Sequence, residues 1–238
     1  MQRVSLLIPA YNEETTIEKV IQEHLDILLK LESQKYIQDF EIVILNDGSK
    51  DSTYSQALDL AKKSKKIRLL NNNEPSGLQK AFNQLYKEAQ FEWTILTPGD
   101  GQWPADGVSL MIKAASQGNW ERGVIGVRDN KRSVYTKYRQ VISFLFRIFS
   151  FLILKEDLID LGSIKLLPTK LNNYTYLTSG PLQEIERIKF FRLINSKPLL
   201  IVNVPWLNRE NGKATGASFK TLLTVLKDFF PLLKKSVF

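Results

Sequence analysis

Asp100 lies in the stretch Thr97-Pro98-Gly99-Asp100-Gly101-Gln102-Trp103-Pro104, directly after the apolar run Trp93–Leu96. A lone carboxylate set between two glycines at the end of a buried strand is placed to meet positive charge. The chain has no cysteine and a single histidine, His24, so a metal ion held there would have only carboxylates, carbonyls, phosphates and water as ligands. That donor set selects hard cations, magnesium or manganese. Two further carboxylates occupy comparable places. Glu13 follows Val4–Ile8 in Pro9-Ala10-Tyr11-Asn12-Glu13, and Asp47 follows Glu41–Leu45 in Asn46-Asp47-Gly48-Ser49.

The elements that must position these groups alternate along the first half. Apolar runs Val4–Ile8, Glu41–Leu45, Ile67–Leu70 and Trp93–Leu96 predict strands. Helical patterns are expected over Ile17–Leu31, from Asp51-Ser52 onward, and from Gly77 to Ala89. His24 falls in the first of these helices and is expected on its solvated side. Short buried strands interleaved with helices predict a mostly parallel sheet of right-handed βαβ units, with ligand bound beyond the carboxyl ends of the strands. No glycine-rich phosphate cradle follows any strand, which argues against a kinase or a dehydrogenase. The second half is less regular. A strand is expected at Gly123–Val127, an apolar helix at Val141–Leu154, a helix at Gly180–Ile194 and a strand at Leu199–Pro205, then an apolar carboxyl-terminal stretch, Leu222–Phe238.

With 238 residues the chain can bury one sizeable core. Its net charge of +8 is uneven. Between Trp120 and Lys155 eight basic residues face two acidic ones, a net +6, which suits a polyanionic partner or a solvated basic surface. No recognition-helix or zinc pattern accompanies the basic stretch, so nucleic acid is not the expected partner. The amino terminus does not read as a signal peptide, because polar residues follow Ser5-Leu6-Leu7-Ile8 almost at once. Val141–Leu154 is short for a membrane span and is interrupted by Arg147; it suits a core or interfacial helix.

Together, "VSLLIPAYNEETTI", "EIVILNDGSKDST", "NNNEPSGLQKAFNQ" and "GDGQWP" resemble the family 2 glycosyltransferases. "GVRDNKRSVYTKYRQVIS" and "VPWLNRENGKATG" resemble stretches of the polyprenyl-phosphate glycosyltransferases, the group of dolichol-phosphate mannose synthase. The resemblance implies an α/β, GT-A-type Rossmann-like nucleotide-binding fold with a mostly parallel central sheet flanked by helices. It implies one domain over 1–238, with a nucleotide-sugar half at 1–105 and an acceptor half with apolar helices at 106–238. The implied activity is inverting, metal-dependent transfer from a UDP- or GDP-sugar to a polyprenyl phosphate, at the cytoplasmic face of an anionic membrane to which the protein is peripheral.

Each site role is implied in the same way. Asp100 would hold magnesium or manganese, although the family's first metal-loop carboxylate is replaced by Pro98. Glu13 and Asp47 would accept the hydrogens of the base, with Pro9 and Tyr11 as its wall; alternatively Asp47 and Ser49 cap the following helix. Gly77 and Gln102 belong to the donor motifs. Arg128, Arg132, Arg139 and Ser143 would meet the acceptor phosphate, and Arg209, with Gly212, forms the later Arg-x-x-Gly element. A phosphate acceptor needs positioning and charge neutralisation more than a base. Asp160 is the acidic candidate should a base be needed, or else it caps a loop. Two alternatives stay open: a soluble or glycan acceptor, and a degenerate protein that binds nucleotide sugar without transferring it.

Overall fold

The computed structural model describes residues 1–129, 140, 143–145, 147–148, 151–152, 160, 162–176, 178, 182–195, 197–208 and 227–229. Among these residues seven strands form one sheet: β1 (Arg3–Ala10), β2 (Asp39–Asp47), β3 (Ile67–Asn72), β4 (Trp93–Leu96), β5 (Val124–Arg128), β6 (Lys165–Pro168) and β7 (Leu200–Val204). Their order is β3-β2-β1-β4-β6-β5-β7. β1 pairs in parallel with β2 and with β4, and β2 in parallel with β3, so the carboxyl ends of the first four strands open on one edge. β6 runs antiparallel to both β4 and β5, while β5 and β7 are parallel. The mostly parallel sheet flanked by helices is therefore as expected from the sequence.

Helices α1 (Ile17–Ser33), α2 (Thr53–Lys63), α3 (Leu78–Glu88), α4 (Ala105–Gln117) and α5 (Gln183–Ile194) cover the sheet. The alternation of strand side chains sorts them by face. Val4, Leu6, Ile8, Ile42, Ile44 and Ile95 share a core with Ile17, Ile21 and Leu28 of α1 and with Val108, Met111 and Ile112 of α4. Leu7, Val43, Leu45 and Leu96 turn the other way, onto Ala81 and Leu85 of α3. α5 packs Ile185, Ile188 and Phe191 against Ile125 and Leu167. Strands buried on both faces are what a parallel sheet demands, and they account for the unbroken apolar runs.

His24 corrects an expectation. It is 1% exposed on the core side of α1, with Nδ1 2.7 Å from the Val20 carbonyl and no partner for Nε2. Burial pushes its pKa down to about 4, so it is a neutral core residue. Two elements go beyond the sequence pattern, α4 and the antiparallel strand β6. Of the expected apolar helix at Val141–Leu154, residues 143–145, 147–148 and 151–152 are described and helical. Arg132, Arg139, Arg209, Gly212 and most of Leu222–Phe238 lie outside the described residues.

Candidate functional site

The carboxyl ends of β2, β1 and β4 are neighbours in the sheet, and they carry Asp47, Glu13 and Asp100 in that order. The loop after β1 is stitched to the loop after β2 by side chains that take up backbone donors. Asn12 N–H donates to Ser49 Oγ (3.0 Å), and Lys50 N–H returns a bond to Asn12 Oδ1 (2.9 Å). Glu14 N–H donates to Asp51 Oδ2 (3.2 Å), and Ser52 N–H donates to Glu14 Oε2 (3.0 Å). Glu13 N–H donates to Thr53 Oγ1 at 2.8 Å, which fixes the Glu13 backbone while its side chain stays largely buried, 9% exposed. Pro9 is buried in β1 opposite Leu45, and Tyr11 projects outward, 48% exposed. An exposed aromatic ring above a buried strand end is a platform against which a planar base can lie.

Asp47 is the organiser of the loop between β3 and α3. Its Oδ1 accepts from Asn72 Nδ2 (2.8 Å), Ser76 N–H (2.9 Å) and Ser76 Oγ (2.7 Å), and its Oδ2 accepts from Gly77 N–H (3.1 Å). Burial pushes the carboxyl up, but the bonds from Asn72, Ser76 and Gly77 outweigh it and hold the group below the usual carboxylate range. Asp47 does not cap α2. The residue before that helix is Ser52, and Asp51 Oδ1 takes the Thr53 N–H instead, at 3.0 Å. The loop closes so tightly over β2 that a Cβ on Gly48, at φ +71°, would come 2.5 Å from the Glu74 carbonyl carbon. Gly77 sits at φ +92° just before α3, a conformation L side chains rarely adopt.

The Asp100 loop continues along β1, with Thr97 N–H to Leu7 O (2.9 Å) and Gly99 N–H to Pro9 O (3.0 Å). Thr16 Oγ1 donates to Gly99 O at 2.8 Å and ties the loop to the start of α1. Asp100 is 9% exposed, and its Oδ1 accepts Gln102 N–H at 3.1 Å. Among the described residues no three His, Cys, Asp or Glu side chains form a group able to hold a metal by themselves. One hard carboxylate on a fixed turn does fit a divalent cation whose other ligands are phosphate oxygens and water.

On the far side of Asp100, Arg128 and Asp160 meet in a buried ion pair. Arg128 Nε and Nη2 donate to Asp160 Oδ2 (2.8 Å) and Oδ1 (2.5 Å), and the Arg128 N–H adds a bond to Oδ2 at 3.1 Å. Both side chains are nearly inaccessible, 7% and 1% exposed. The guanidinium lies 5.5 Å from the Trp103 ring centroid and 5.0 Å from that of Trp206. Neither indole is foreseen as a site residue, although Trp103 stands only three positions after Asp100. Gln102 is joined to the segment after β7: Leu207 N–H donates to Gln102 O (2.9 Å), and Gln102 Nε2 donates to Leu207 O (3.2 Å). Ser143 is helical and half-buried. The sheet thus gathers Pro9, Tyr11, Glu13, Asp47, Gly77, Asp100 and Gln102 along one edge, and pairs Arg128 with Asp160.

This sheet order, with polar loops at the ends of the parallel strands and a carboxylate turn after β4, is that of the GT-A class of folds. A solved structure of glucosyl-3-phosphoglycerate synthase from Mycobacterium tuberculosis, in complex with Mn2+, UDP and glucosyl-3-phosphoglycerate, superposes with a TM-score of 0.69. It covers 96% of this chain and 80% of that one at 18% identity, a likeness of fold. The family model for glycosyl transferase family 2 matches residues 5–179, and the chain belongs to that family. It is 33% identical over 144 residues to dolichyl-phosphate beta-glucosyltransferase ALG5A of Trichomonas vaginalis, covering 59% of this chain and 45% of that protein. It is 28% identical over 142 residues to dolichol-phosphate mannosyltransferase of Pyrococcus furiosus, covering 59% of this chain and 38% of that protein. The match thus spans less than half the length of either relative.

Proposed function

We propose that the chain is an inverting glycosyltransferase that moves a sugar from a UDP- or GDP-sugar to a polyprenyl phosphate at the cytoplasmic face of a membrane. The state of Asp160 supports this acceptor best. A hydroxyl acceptor calls for a positioned base, and Asp160 commits both of its oxygens to Arg128. A phosphate monoester has its second pKa at about 6 and arrives as a nucleophile already. In this reading Glu13 and Asp47 face the base, Tyr11 and Pro9 form its wall, and Gly77 and Gln102 shape the donor crevice. Asp100 would hold magnesium or manganese, a cation that neutralises the leaving diphosphate. Arg132, Arg139, Ser143 and Arg209 would meet the acceptor.

The membrane part of the reading rests on the helical residues Phe144, Leu145, Ile148, Phe151 and Leu152. Their spacing puts them on one face of a helix, and that face is turned outward, with Phe144 60% and Phe151 49% exposed. Among the described residues no helix is long and apolar enough to cross a membrane. An outward apolar face beside a basic stretch suits a helix lying in the interface of an anionic bilayer.

The test is transfer from UDP- and GDP-sugars to a polyprenyl phosphate carried in anionic liposomes, with manganese, alongside sedimentation of the protein. Phe144→Ser with Phe151→Ser should abolish sedimentation and leave nucleotide binding intact. Protein that stays wholly in the supernatant while glycosylating a water-soluble acceptor would overturn the membrane reading. Pro98 favours a second reading, binding without transfer, which turnover on any acceptor would eliminate.

A further inference from the structure

Arg128 is held along its edge by a carboxylate and lies over two aromatic rings. Asp160 takes the edge through two side-chain bonds, and the guanidinium carbon lies over two indole rings from different loops. Trp103 belongs to the loop that carries Asp100. Trp206 belongs to the segment that follows β7 and leads toward Arg209. The two loops also touch directly through the reciprocal Gln102–Leu207 bonds, and the Gln102 N–H is the donor to Asp100 Oδ1. An unbroken line of contacts therefore runs from Asp160 through Arg128 and the two indoles to Gln102 and Asp100.

We propose that Asp160, acting through Arg128, is a positioning residue that locks the Asp100 loop and the segment after β7 into one unit. Its charge is spent orienting the guanidinium, and the planar guanidinium joins the two indoles. The geometry requires arginine in particular. A lysine would keep the charge but lose the bidentate pairing and the broad planar head that lies over both rings. The fixed unit presents Asp100 in one orientation, so a cation carried in on a nucleotide diphosphate finds its protein ligand in place. This last step rests on the donor reading above; the locking of the two loops does not.

The experiment has an arm without nucleotide and an arm with it. In the first, amide hydrogen exchange is measured on Arg128→Lys, Trp206→Leu and Trp206→Phe. Arg128→Lys should speed exchange about tenfold both at 99–104 and at 205–208. Trp206→Leu should loosen 99–104, which belongs to the other loop, and Trp206→Phe should restore protection. Loosening confined to the substituted loop would overturn the proposal. In the second arm, UDP and GDP are titrated with and without manganese. Arg128→Lys should lose most of the manganese-dependent gain in affinity, with metal-free affinity within about twofold of the parent. Asp160→Asn should lower kcat without moving the limbs of the pH profile. Loss of an acidic limb would make Asp160 a base, and a rise in acceptor KM alone in Arg128→Lys would make Arg128 an acceptor ligand; either result overturns the proposal. A parent protein that binds neither nucleotide would refute the donor reading, and the exchange arm would still decide the locking.

Discussion

At the ends of β1 and β2 the carboxylates of Glu14, Asp51 and Asp47 accept uncharged N–H and O–H groups. Around β5, β6 and α5 two carboxylates, Asp160 and Glu184, face cations instead. Asp160 pairs with Arg128, and Glu184 lies 3.3 Å from Lys165 Nζ and 3.9 Å from Arg187 Nε, under the Tyr86 hydroxyl at 3.1 Å. Both arrangements fix loops, but they leave different fields behind. A carboxylate bonded to neutral donors keeps its full negative charge, so these strand ends stay anionic. Under the proposed function, a diphosphate arriving there would need a counter-ion. The buried pairs Arg128–Asp160 and Lys165–Glu184–Arg187 cancel their charges locally and spend them on geometry.

The largest effect is expected where that neutrality is broken. Glu184→Ala would strand Lys165 and Arg187, 8% and 1% exposed, and should cost about 3–5 kcal/mol in urea unfolding. Replacing the triad by Lys165→Met, Glu184→Leu and Arg187→Met should recover most of it. If Glu184→Ala unfolds like the parent, the ion pairs are ornament and the contrast fails.

Next comes Asp100→Asn, which removes charge from the anionic edge. Transfer should fall by roughly two to three orders of magnitude, because electrostatic stabilisation of the leaving group is lost. Nucleotide affinity should also cease to depend on manganese. Unchanged turnover would place the cation elsewhere.

His24 gives the first half a pH dependence of its own. Its folded pKa of about 4 lies below the usual 6.5, so the fold holds the neutral ring and the unfolded chain takes up the proton more readily. The stabilisation is complete above pH 6.5 and is lost as pH falls toward 4, at most about 3 kcal/mol. His24→Leu should flatten the stability curve between those values. A curve of the same slope would assign the acid sensitivity to other groups.

Asp47→Ala should cost about 1–3 kcal/mol by leaving the Ser76 and Gly77 donors unmet. It should weaken a bare nucleotide as much as a nucleotide sugar. Weakening of the sugar-bearing ligand alone would move Asp47 away from the base. The smallest effect is expected for the exposed Lys50–Glu74 pair, 64% and 78% exposed. Lys50→Ala should change stability by less than about 1 kcal/mol.

Much of the first half was legible because β1, β2 and β4 are buried on both faces and the loops begin with turn and cap residues. β4 falls where the apolar run Trp93–Leu96 puts it, and β1 and β2 extend their runs by one or two residues at each end. α4 had readable signals in Pro104 and in the spacing of Val108, Met111, Ile112 and Ala115. β6 had almost none. Four residues that include Lys165 and Pro168 do not announce a strand, and only pairing with β4 and β5 makes one. His24 misled because a polar residue in an amphipathic helix is ordinarily solvated; its burial depends on what packs against α1.

The sequence by itself determined which residues could do the chemistry: an isolated Asp100 on a turn, carboxylates at two other strand ends, and a chain without thiols. It determined the parallel sheet too, since hydrophobic periodicity and turn residues are local signals. The tertiary structure decided what those residues do to one another. Arg128 and Asp160 are 32 positions apart, and Trp103 and Trp206 are 103 apart; neither separation carries a local pattern. Their meeting depends on the sheet order that inserts β6 between β4 and β5, a choice made by the packing of the whole chain.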